Sequence, residues 1–333
     1  MAIPIIICDD SSMARKQMWR ALPTDWDFEV TFAANGKEAI EAINMGKAHI
    51  MFLDLTMPVM DGFEVLETLH KEQSSVKVIV VSGDVQPESY SRVMALGAVE
   101  FIKKPFDAMS IIDILDPLIP KEAANSELAI PAQVVNVKVE TNDIYREVAN
   151  IAMGRAADLL AQYLNAFIVM PIPHVNMMEY NELQMAIEHT IAADNTFAVC
   201  QGFISQEVSG EALAIFTGTD FNDLAELLNF DGEITESAKI ELSMDITSIL
   251  VGAILKSLKE QVDIDFCQGY PIVLGHRTAS IGLIANKEKS WKETLAVEMF
   301  FTVENKKIYC DFIIVFNTGS IDSLKERIDF LAE

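Results

Sequence analysis

The sequence predicts an α/β protein with a doubly wound, five-stranded parallel sheet at the N-terminus and a second, pseudo-twofold α/β domain. Two patterns favour this class. Short apolar runs alternate with helical patterns over residues 1–120, and a later region repeats itself at an offset of 98 residues, as between Pro173 and Pro271. Strands that alternate with helices are typical of a parallel sheet covered by helices. The length of 333 residues is enough for two domains.

The strands of the first domain are predicted from short apolar runs at residues 3–8, 28–33, 50–53, 76–81 and 99–102. The segments between them place apolar residues at positions i, i+3 and i+4, which is the period of an amphipathic helix. The clearest such segments are residues 36–45, 62–71 and 89–96. In a sheet of this kind, ligands bind at the carboxyl ends of the strands. We therefore expect the chemistry of the first domain at that edge.

The predicted domains cover residues 1–120 and 140–333, and residues 121–139 are interpreted as a linker because they break the alternating pattern. Within the second domain, the two repeats span about 143–230 and 241–331. Each repeat is predicted to form a long helix, an extended strand past a proline, a further helical stretch, a hairpin and a closing helix. A pseudo-twofold unit of this kind would carry two related sites.

The charge balance argues against nucleic acid as a partner. The chain has 50 acidic and 25 basic side chains and a formal net charge of −25, and a phosphate backbone repels a surface of this sign. Residues 121–333 alone carry 32 acidic and 15 basic side chains and no basic helix. A DNA-binding output domain is therefore not expected.

The remaining composition predicts a cytoplasmic protein. The first apolar run ends in two acids and has no positive segment before it, which is unlike a signal peptide, and no apolar stretch reaches 18 residues, so no membrane insertion is expected. The cysteines lie far apart without a Cys-x-x-Cys pair, at Cys8, Cys200, Cys267 and Cys310. Isolated thiols of this kind are typical of a reducing compartment.

Acidic side chains stand at the predicted strand ends of the first domain. Asp9 and Asp10 close the first strand and Asp54 closes the third. Three converging carboxylates repel one another unless a cation binds, and Mg²⁺ suits an all-oxygen site that a phosphate completes. Ser82 follows the fourth strand and Lys104 follows the fifth, where a hydroxyl and an ammonium can hold phosphoryl oxygens. Together these residues predict an aspartate that accepts phosphate.

The same residues lie in motifs that resemble the receiver domain of two-component response regulators, the CheY-like domain with a flavodoxin-like fold. The resemblance covers residues 1–120 and rests on several motifs in the right order. The motifs are Cys8-Asp9-Asp10 with Arg15, Asp54-Leu55-Thr56-Met57-Pro58-Val59-Met60-Asp61-Gly62, Ser82-Gly83 and Lys103-Lys104-Pro105-Phe106. The resemblance implies phosphorylation by a histidine kinase.

The resemblance also implies roles for the residues of this site. Asp54 is the phosphoacceptor, and Mg²⁺ is bound directly by Asp10, Asp54 and the carbonyl of Thr56, with Asp9 in support. Lys104 contacts the phosphoryl group, and its peptide bond to Pro105 is expected to be cis. The switch positions, whose movement reports phosphorylation in this family, are Ser82 and Phe101.

A predicted helix of the second domain carries an acid and an amide on one face. Glu147 and Asn150 are three residues apart, with Asp143 one turn earlier. Such spacing alone is usually just a solvated polar face. Here a run of small and apolar residues follows it, and the pattern returns in the second repeat with Asp245 and Ser248.

These residues resemble the CheC/CheX/FliY family of chemotaxis phosphatases, over about residues 140–330. The family motif is Asp or Ser, three residues, Glu, two residues, Asn, 22 residues and Pro; Asp143, Glu147, Asn150 and Pro173 fit it. The two repeats in one chain are more similar to CheC than to CheX. The resemblance implies removal of phosphate from receiver aspartates, with Asn150 orienting a water and Glu147 pairing with the phosphate-site lysine of the target.

The second copy of the motif departs from the family pattern. Glu241 occupies the first position, Asp245 replaces the Glu, Ser248 replaces the Asn, and Pro271 is retained. An aspartate is one methylene shorter than a glutamate, and a hydroxyl lacks the paired donor and acceptor of an amide. The second site is therefore expected to be weak or inactive.

The two resemblances together predict a chemotaxis-type signalling protein in which phosphorylation of Asp54 controls a CheC-like phosphatase. The expected substrate is a phosphorylated CheY-like receiver in trans, with the chain's own Asp54 phosphate as a second possibility. The alternative is a non-catalytic adaptor or phosphate sink that binds receivers. A homodimer is also possible, since receivers often pair.

Overall fold

The computed structural model describes residues 2–24, 26–119, 141–179, 183, 185, 196–274 and 293–332. The chain divides into two compact units, residues 1–147 and 148–333. The first unit therefore includes the start of a helix at residues 141–147. The predicted linker, residues 121–139, lies outside the described residues.

The first unit contains the predicted five-stranded parallel sheet, in the order β2-β1-β3-β4-β5. Its strands are β1 (Ile3–Cys8), β2 (Phe28–Ala33), β3 (Ile50–Leu53), β4 (Lys77–Ser82) and β5 (Glu100–Lys103). The last two strands lie one residue later than the apolar runs predict. The reason is that the hydrogen-bonded ladder continues into polar residues, where Ser82 pairs with Lys103.

Five helices connect and follow the strands of this sheet. They are α1 (Ser12–Ala21), α2 (Gly36–Asn44), α3 (Gly62–Lys71), α4 (Pro87–Ala95) and α5 (Ala108–Leu115), with a 3₁₀ turn at Asp116–Leu118. Side-chain caps fix where several of them begin: the side chains of Ser11 and Asn35 accept from backbone amides of α1 and α2. Asp61 and Glu64 form a reciprocal capping box at the start of α3. A sixth helix, α6 (Thr141–Leu164), begins in the first unit.

The sheet of the first unit is buried on both faces, as its continuous apolar strands require. Ile5, Ile7 and Phe52 belong to the core on one face, whereas Ile6 and Met51 belong to the core on the other. The alternation follows from the two-residue period of a strand. The two cores hold the strand ends in fixed positions at the edge where the acidic side chains lie.

The second unit is built around an eight-stranded antiparallel sheet, in the order β10-β8-β9-β13-β12-β6, with β11 also paired to β8 and β7 to β12. Its strands are β6 (Ile168–Val169), β7 (His174–Glu179), β8 (Thr196–Ile204), β9 (Ser209–Thr217), β10 (Cys267–Gln268), β11 (Ile272–Leu274), β12 (Glu293–Val303) and β13 (Tyr309–Phe316). Its further helices are α7 (Phe221–Leu227), α8 (Glu236–Val262) and α9 (Thr318–Ala332).

The pairing of these strands has the predicted pseudo-twofold pattern. Strands β9 and β13 pair at the centre, and β8 and β12 flank them in equivalent positions. The short strands β6 and β7 of the first repeat pair with β12 of the second, while β10 and β11 of the second repeat pair with β8 of the first. Helix α6 ends at Leu164 and α8 at Val262, which are 98 residues apart.

The long helix of the second repeat is held by an apolar stripe. Leu242, Ile246, Leu250 and Ile254 of α8 are buried at a spacing of four residues, which places them on one face. Within the second unit, α8 also contacts α6 through an Arg155–Glu260 ion pair and a hydrogen bond from Gln261 to a backbone carbonyl. Across the described ranges, no helix combines the length and the apolar character needed to cross a membrane.

The start of α3 has no room for a side chain at Gly62. A Cβ atom there would lie 2.3 Å from the carbonyl oxygen of Asp54 and 2.8 Å from the Cα of Leu55. The backbone after β3 and the first turn of α3 therefore touch directly, and the Gly62 amide donates to the Leu55 carbonyl at 3.0 Å.

We predict that Gly62→Ala lowers the free energy of unfolding of the first unit by about 1–3 kcal/mol, because the methyl group forces backbone atoms apart. The measurement is urea unfolding followed by the fluorescence of Trp19 and Trp26 in a Trp291→Phe background. The matched control is Lys71→Ala, an exposed position on the same helix, expected to change stability by less than about 0.5 kcal/mol. Equal stability of the two variants would contradict the close approach at Gly62.

Candidate functional site

Three strand ends of the first unit bring an ammonium group next to two carboxylates. Asp9 follows β1, Asp54 follows β3 and Lys104 follows β5. Backbone hydrogen bonds extend the ladder past each strand end, with the Asp54 amide donating to Cys8 and the Lys104 amide donating to Ser82, both at 2.9 Å. All three side chains are buried. The sheet itself thus fixes where these charges lie.

A third carboxylate reaches the same ammonium from helix α6. The Nζ atom of Lys104 lies 2.7 Å from Oδ2 of Asp9, 3.0 Å from Oδ1 of Asp54 and 3.1 Å from Oε1 of Glu147. Glu147 belongs to the first unit and is only 3% exposed. We call Lys104, Asp9, Asp54 and Glu147 the Lys104 cluster. It holds one positive and up to three negative charges away from solvent.

Burial and the attraction between opposite charges shift the pKa values of this cluster in opposite directions. Burial raises the pKa of Asp54 well above its usual value, and Lys104 only partly offsets this. The pKa of Glu147 is raised for the same reason, again against the pull of Lys104. Burial alone would lower the pKa of Lys104, but the carboxylates of Asp54, Asp9 and Glu147 together raise it well above its usual value. Lys104 therefore stays an ammonium at neutral pH.

The first turns of α6 make two more polar contacts, one with Ser12 at the start of α1 and one with Asp10 in the loop after β1. The hydroxyl of Ser12 donates to Oδ2 of Asp143 at 2.5 Å. The Nε atom of Arg146 lies 3.7 Å from Oδ2 of Asp10, and its Nη2 lies 3.2 Å from Asp143. Burial and the neighbouring Asp9 raise the pKa of Asp10 to about 6, and Arg146 opposes this shift.

The residues at this edge fit a magnesium ion. The Asp54 side chain accepts from the Thr56 amide at 2.9 Å through Oδ2, while its buried Oδ1 faces the Lys104 ammonium at 3.0 Å and has no other polar partner within the part of the chain that the structure describes. Over the same ranges, no three His, Cys, Asp or Glu side chains form a ligand set by themselves. Mg²⁺ needs no such set, because it keeps several waters and takes one or two carboxylates together with phosphate oxygens. Asp10 and Asp54 can supply those two carboxylates.

Asp9 has partners of its own that suit a supporting role. Its Oδ2 accepts from Lys104 and its Oδ1 accepts from the Ser11 amide at 2.8 Å. Both oxygens are thus used within the protein, which orients the loop that carries Asp10. The predicted magnesium site, with Asp10, Asp54 and the Thr56 carbonyl as ligands and Asp9 in support, stays a prediction.

The other predicted residues of the first site lie around the same edge. Ser82 is fully buried at the end of β4, and its hydroxyl accepts from the Asp84 amide at 3.1 Å. Phe101 is half-buried on β5 and makes an edge contact with Tyr90, with ring centroids 5.8 Å apart. The peptide bond between Lys104 and Pro105 is cis, as predicted.

Asp143, Glu147 and Asn150 all lie on α6, as their spacing predicts, and the last two are buried. Asn150 follows Glu147 by one turn of the same helix and is 8% exposed. Asp143 is partly exposed one turn before Glu147, and Pro173 is buried directly before β7.

The second copy of the motif lies on α8 and is more accessible. Glu241 and Asp245 are exposed, Ser248 is half-buried, and Pro271 directly precedes β11. Burial and the like charge of Glu241 raise the pKa of Asp245. The structure thus brings Glu147 to the predicted phosphorylation site, whereas Asp245 stays at the surface.

Two residues of the site were not found from the sequence. Ser12 and Arg146 lie beside motif residues, but neither belongs to the spacing of either motif. The only available signal was the second repeat, where Met244 stands at the position equivalent to Arg146. A guanidinium group present in one copy and absent from the other points to a contact that only the first copy makes.

Comparisons with known proteins agree with the geometry of the first unit. Residues 5–116 match the response regulator receiver domain. The chemotaxis protein CheY of Listeria monocytogenes is 36% identical over 115 residues, which cover 34% of this chain and 96% of that protein. The chain belongs to the response regulator receiver family. Its receiver domain accounts for about a third of its length.

Other similar proteins and solved structures align with different shares of this chain. Protein-glutamate methylesterase/protein-glutamine glutaminase 3 of Geobacter sulfurreducens is 33% identical over 169 residues, which cover 50% of this chain but only 44% of that protein. Among solved structures, the FliY protein of Thermotoga maritima aligns over 58% of this chain and 98% of its own, with a TM-score of 0.43 and 16% identity. A receiver domain protein from Methanospirillum hungatei aligns over 35% of this chain, with a TM-score of 0.33 and 27% identity.

We predict that Lys104→Met lowers the free energy of unfolding of the receiver by about 3–5 kcal/mol at neutral pH, because it leaves buried carboxylates without a counter-charge. The matched control is Lys103→Met, an exposed neighbour expected to change stability by less than about 0.5 kcal/mol. Both are measured by urea unfolding in the Trp291→Phe background. A small, equal effect of both substitutions would show that Lys104 does not hold the cluster together.

Proposed function

We propose that this chain is a signalling protein whose receiver accepts phosphate on Asp54 from a histidine kinase and whose helix α6 hydrolyses aspartyl phosphate. The observation that carries the proposal is the position of Glu147. Its carboxylate lies 3.1 Å from Lys104, a phosphate-site lysine of a receiver. This is the pairing that the CheC-type motif is expected to make with a receiver.

Phosphorylation uses groups that the sheet already holds in place. A carboxylate oxygen of Asp54 forms the bond to phosphorus while the phosphorus–nitrogen bond of the phosphohistidine donor breaks. Lys104 stands within reach of the new phosphoryl oxygens and offsets part of their charge. Asp10 and Asp54 would hold Mg²⁺ at this edge, and the ion would supply further positive charge for the phosphoryl oxygens.

Hydrolysis needs little additional machinery, because an acyl phosphate is already activated. The oxygen of a water forms a bond to phosphorus, the bond to the aspartyl oxygen of the receiver breaks, and inorganic phosphate leaves with the proton balance made by solvent. The carbonyl oxygen of the Asn150 amide can accept from this water and hold it in line. Glu147, one turn earlier on α6, holds the helix to the lysine of the phosphate site. These roles require no metal or cofactor from the second unit.

The second copy of the motif provides a contrast within the same chain. Asp245 is exposed and makes no ion pair among the described residues, and Ser248 offers a hydroxyl where Asn150 offers an amide. We therefore assign hydrolysis to the first copy alone.

The first test concerns the phosphoacceptor. Asp54→Asn is expected to abolish incorporation of phosphate from a small-molecule donor such as phosphoramidate, because the amide is not a nucleophile for phosphorus. The control Asp113→Asn removes an exposed carboxylate on α5 and should incorporate phosphate like the unaltered protein. The measurement is phosphate-affinity gel electrophoresis with Mg²⁺ present. Undiminished labelling of Asp54→Asn would place the phosphate elsewhere.

The second test concerns hydrolysis. Asn150→Ala is expected to prolong the lifetime of aspartyl phosphate about a hundredfold, since the water loses its positioning group. Ser248→Ala, the equivalent change in the second copy, should alter the lifetime less than about twofold. Lifetimes are followed both on Asp54 of the chain and on an added phosphorylated CheY-type receiver. Lifetimes that Asn150→Ala leaves unchanged on both would refute the phosphatase and favour a non-catalytic adaptor.

A further inference from the structure

The first two turns of helix α6 bring two opposite charges to the edge of the receiver where ligands are expected. The Nε atom of Arg146 lies 3.7 Å from Oδ2 of Asp10, one of the two carboxylates that can hold Mg²⁺. The Oε1 atom of Glu147 lies 3.1 Å from Nζ of Lys104, the ammonium that is placed to hold phosphoryl oxygens. Residues 141–147 and both of these partners belong to the first compact unit.

We propose that residues 143–147 act as an internal ligand of the receiver and that Mg²⁺ competes with them. Arg146 brings a positive charge to Asp10, as the metal would. Glu147 brings a negative charge to Lys104, as a phosphoryl group would. The start of α6 is then held on the receiver when Mg²⁺ is scarce and is loosened when the ion binds. The competition is independent of hydrolysis by α6, but it requires the predicted magnesium site.

Arg146 covers a carboxylate that the ion needs. The side chain of Asp10 is only 9% exposed, and Arg146 contacts both its carboxylate and, through Nη2 at 3.5 Å, its backbone carbonyl. Mg²⁺ binds a carboxylate oxygen at about 2.0–2.1 Å and keeps several of its waters. An ion that reaches Asp10 with its waters therefore has to displace part of this cover.

Like charges would also meet at Asp10. The Nε atom of Arg146 is buried and has no hydrogen-bond acceptor among the described residues, so its attraction to the carboxylate at 3.7 Å is electrostatic. Mg²⁺ neutralises that carboxylate and adds positive charge, which turns the attraction into repulsion. Burial strengthens both effects, because little water is present to screen the charges.

The contacts of residues 143–147 form one connected set. Arg146 lies 3.2 Å from Asp143, whose carboxylate accepts from the Ser12 hydroxyl at 2.5 Å. Because Asp143, Arg146 and Glu147 lie on the same two turns of α6, displacing one of them weakens the hold on the others. Coupling between two binding events is reciprocal, so whatever loosens these contacts must also tighten the binding of Mg²⁺.

The pair of opposite charges occurs in the first copy of the motif only. At the positions equivalent to Arg146 and Glu147, helix α8 has Met244 and Asp245. An arginine is thus not needed to form this helix, since α8 forms without one at that position. Its presence on α6 coincides with the carboxylate that it contacts in the first unit.

The test measures Mg²⁺ binding to the full chain by isothermal titration calorimetry. Arg146→Met removes the charge that faces Asp10. Ser12→Ala removes only the hydroxyl that binds Asp143, so it weakens the docking of α6 without a change of charge. Lys103→Met removes an exposed positive charge of the receiver and is the control for net charge. Asp10→Asn removes a predicted metal ligand and shows whether the measured heat comes from this site.

We expect Arg146→Met to tighten Mg²⁺ binding about tenfold and Ser12→Ala about threefold, whereas Lys103→Met should change it less than about twofold. A second measurement is amide hydrogen exchange over residues 143–147. Saturating Mg²⁺ should speed this exchange in the unaltered chain, because the ion loosens the docked turns. In Asp10→Asn, Mg²⁺ should bind much more weakly and leave the exchange unchanged.

Three results would overturn the competition. If Arg146→Met and Ser12→Ala both bind Mg²⁺ like the unaltered chain, the docking of α6 and the ion are not coupled. If only Arg146→Met tightens binding and Mg²⁺ leaves the exchange of residues 143–147 unchanged, the arginine repels the ion without being displaced. If Asp10→Asn gives the same heats as the unaltered chain, the ion binds elsewhere. Neither measurement involves phosphate release, so failure of the proposed phosphatase would leave both unaffected.

Discussion

The buried ammonium of Lys104 is the interaction on which the rest of the site depends. Three carboxylates surround it, from the ends of β1 and β3 and from α6. Removing such charges from water costs several kcal/mol per ion, and the cost is offset only when each has a partner in good geometry. The strand order determines that geometry, because β1 and β3 are neighbours at the centre of the sheet and β5 lies beyond them, two strands away from β3. The positions of Asp9, Asp54 and Lys104 thus follow from the strand order. Glu147 is contributed by helix α6, which lies outside the sheet.

Much of the receiver could be predicted from the sequence, because its signals are local. Buried parallel strands are continuous apolar runs, and the residues that follow them must lie at one edge. The boundaries of β4 and β5 were off by one residue, since backbone pairing extends into polar positions that hydropathy does not register. The family resemblance predicted a phosphate-site lysine as the partner of Glu147, but not that this lysine would be Lys104 of the same chain. Motif spacing shows which side chains share a helix face, but the group that this face meets depends on long-range packing, which also explains why Ser12 and Arg146 were missed.

The two repeats of the second unit show how one scaffold can carry two different surfaces. Both long helices keep the apolar positions that hold them, as the stripe of α8 shows. The polar faces have diverged: one has Glu, Asn and a preceding Arg, and the other has Asp, Ser and a preceding Met. Core positions are constrained by packing in both copies, whereas a polar face is constrained only by what it contacts. The polar faces of the two copies can therefore differ as long as one of them keeps the residues that its contacts require.

The pairing of the short strands has an architectural consequence. Strands β6 and β7 complete the edge of β12, and β10 and β11 complete the edge of β8, so each repeat finishes the sheet of the other. A lone repeat would present unpaired edges, which attract another strand. Two separate single-repeat chains could therefore form the same sheet if each paired its short strands with the long strand of the other about a true twofold axis. The second unit thus has the architecture of a strand-exchanged dimer whose two subunits are linked in one chain. Because both repeats lie in one chain, their sequences can differ, whereas two identical subunits cannot.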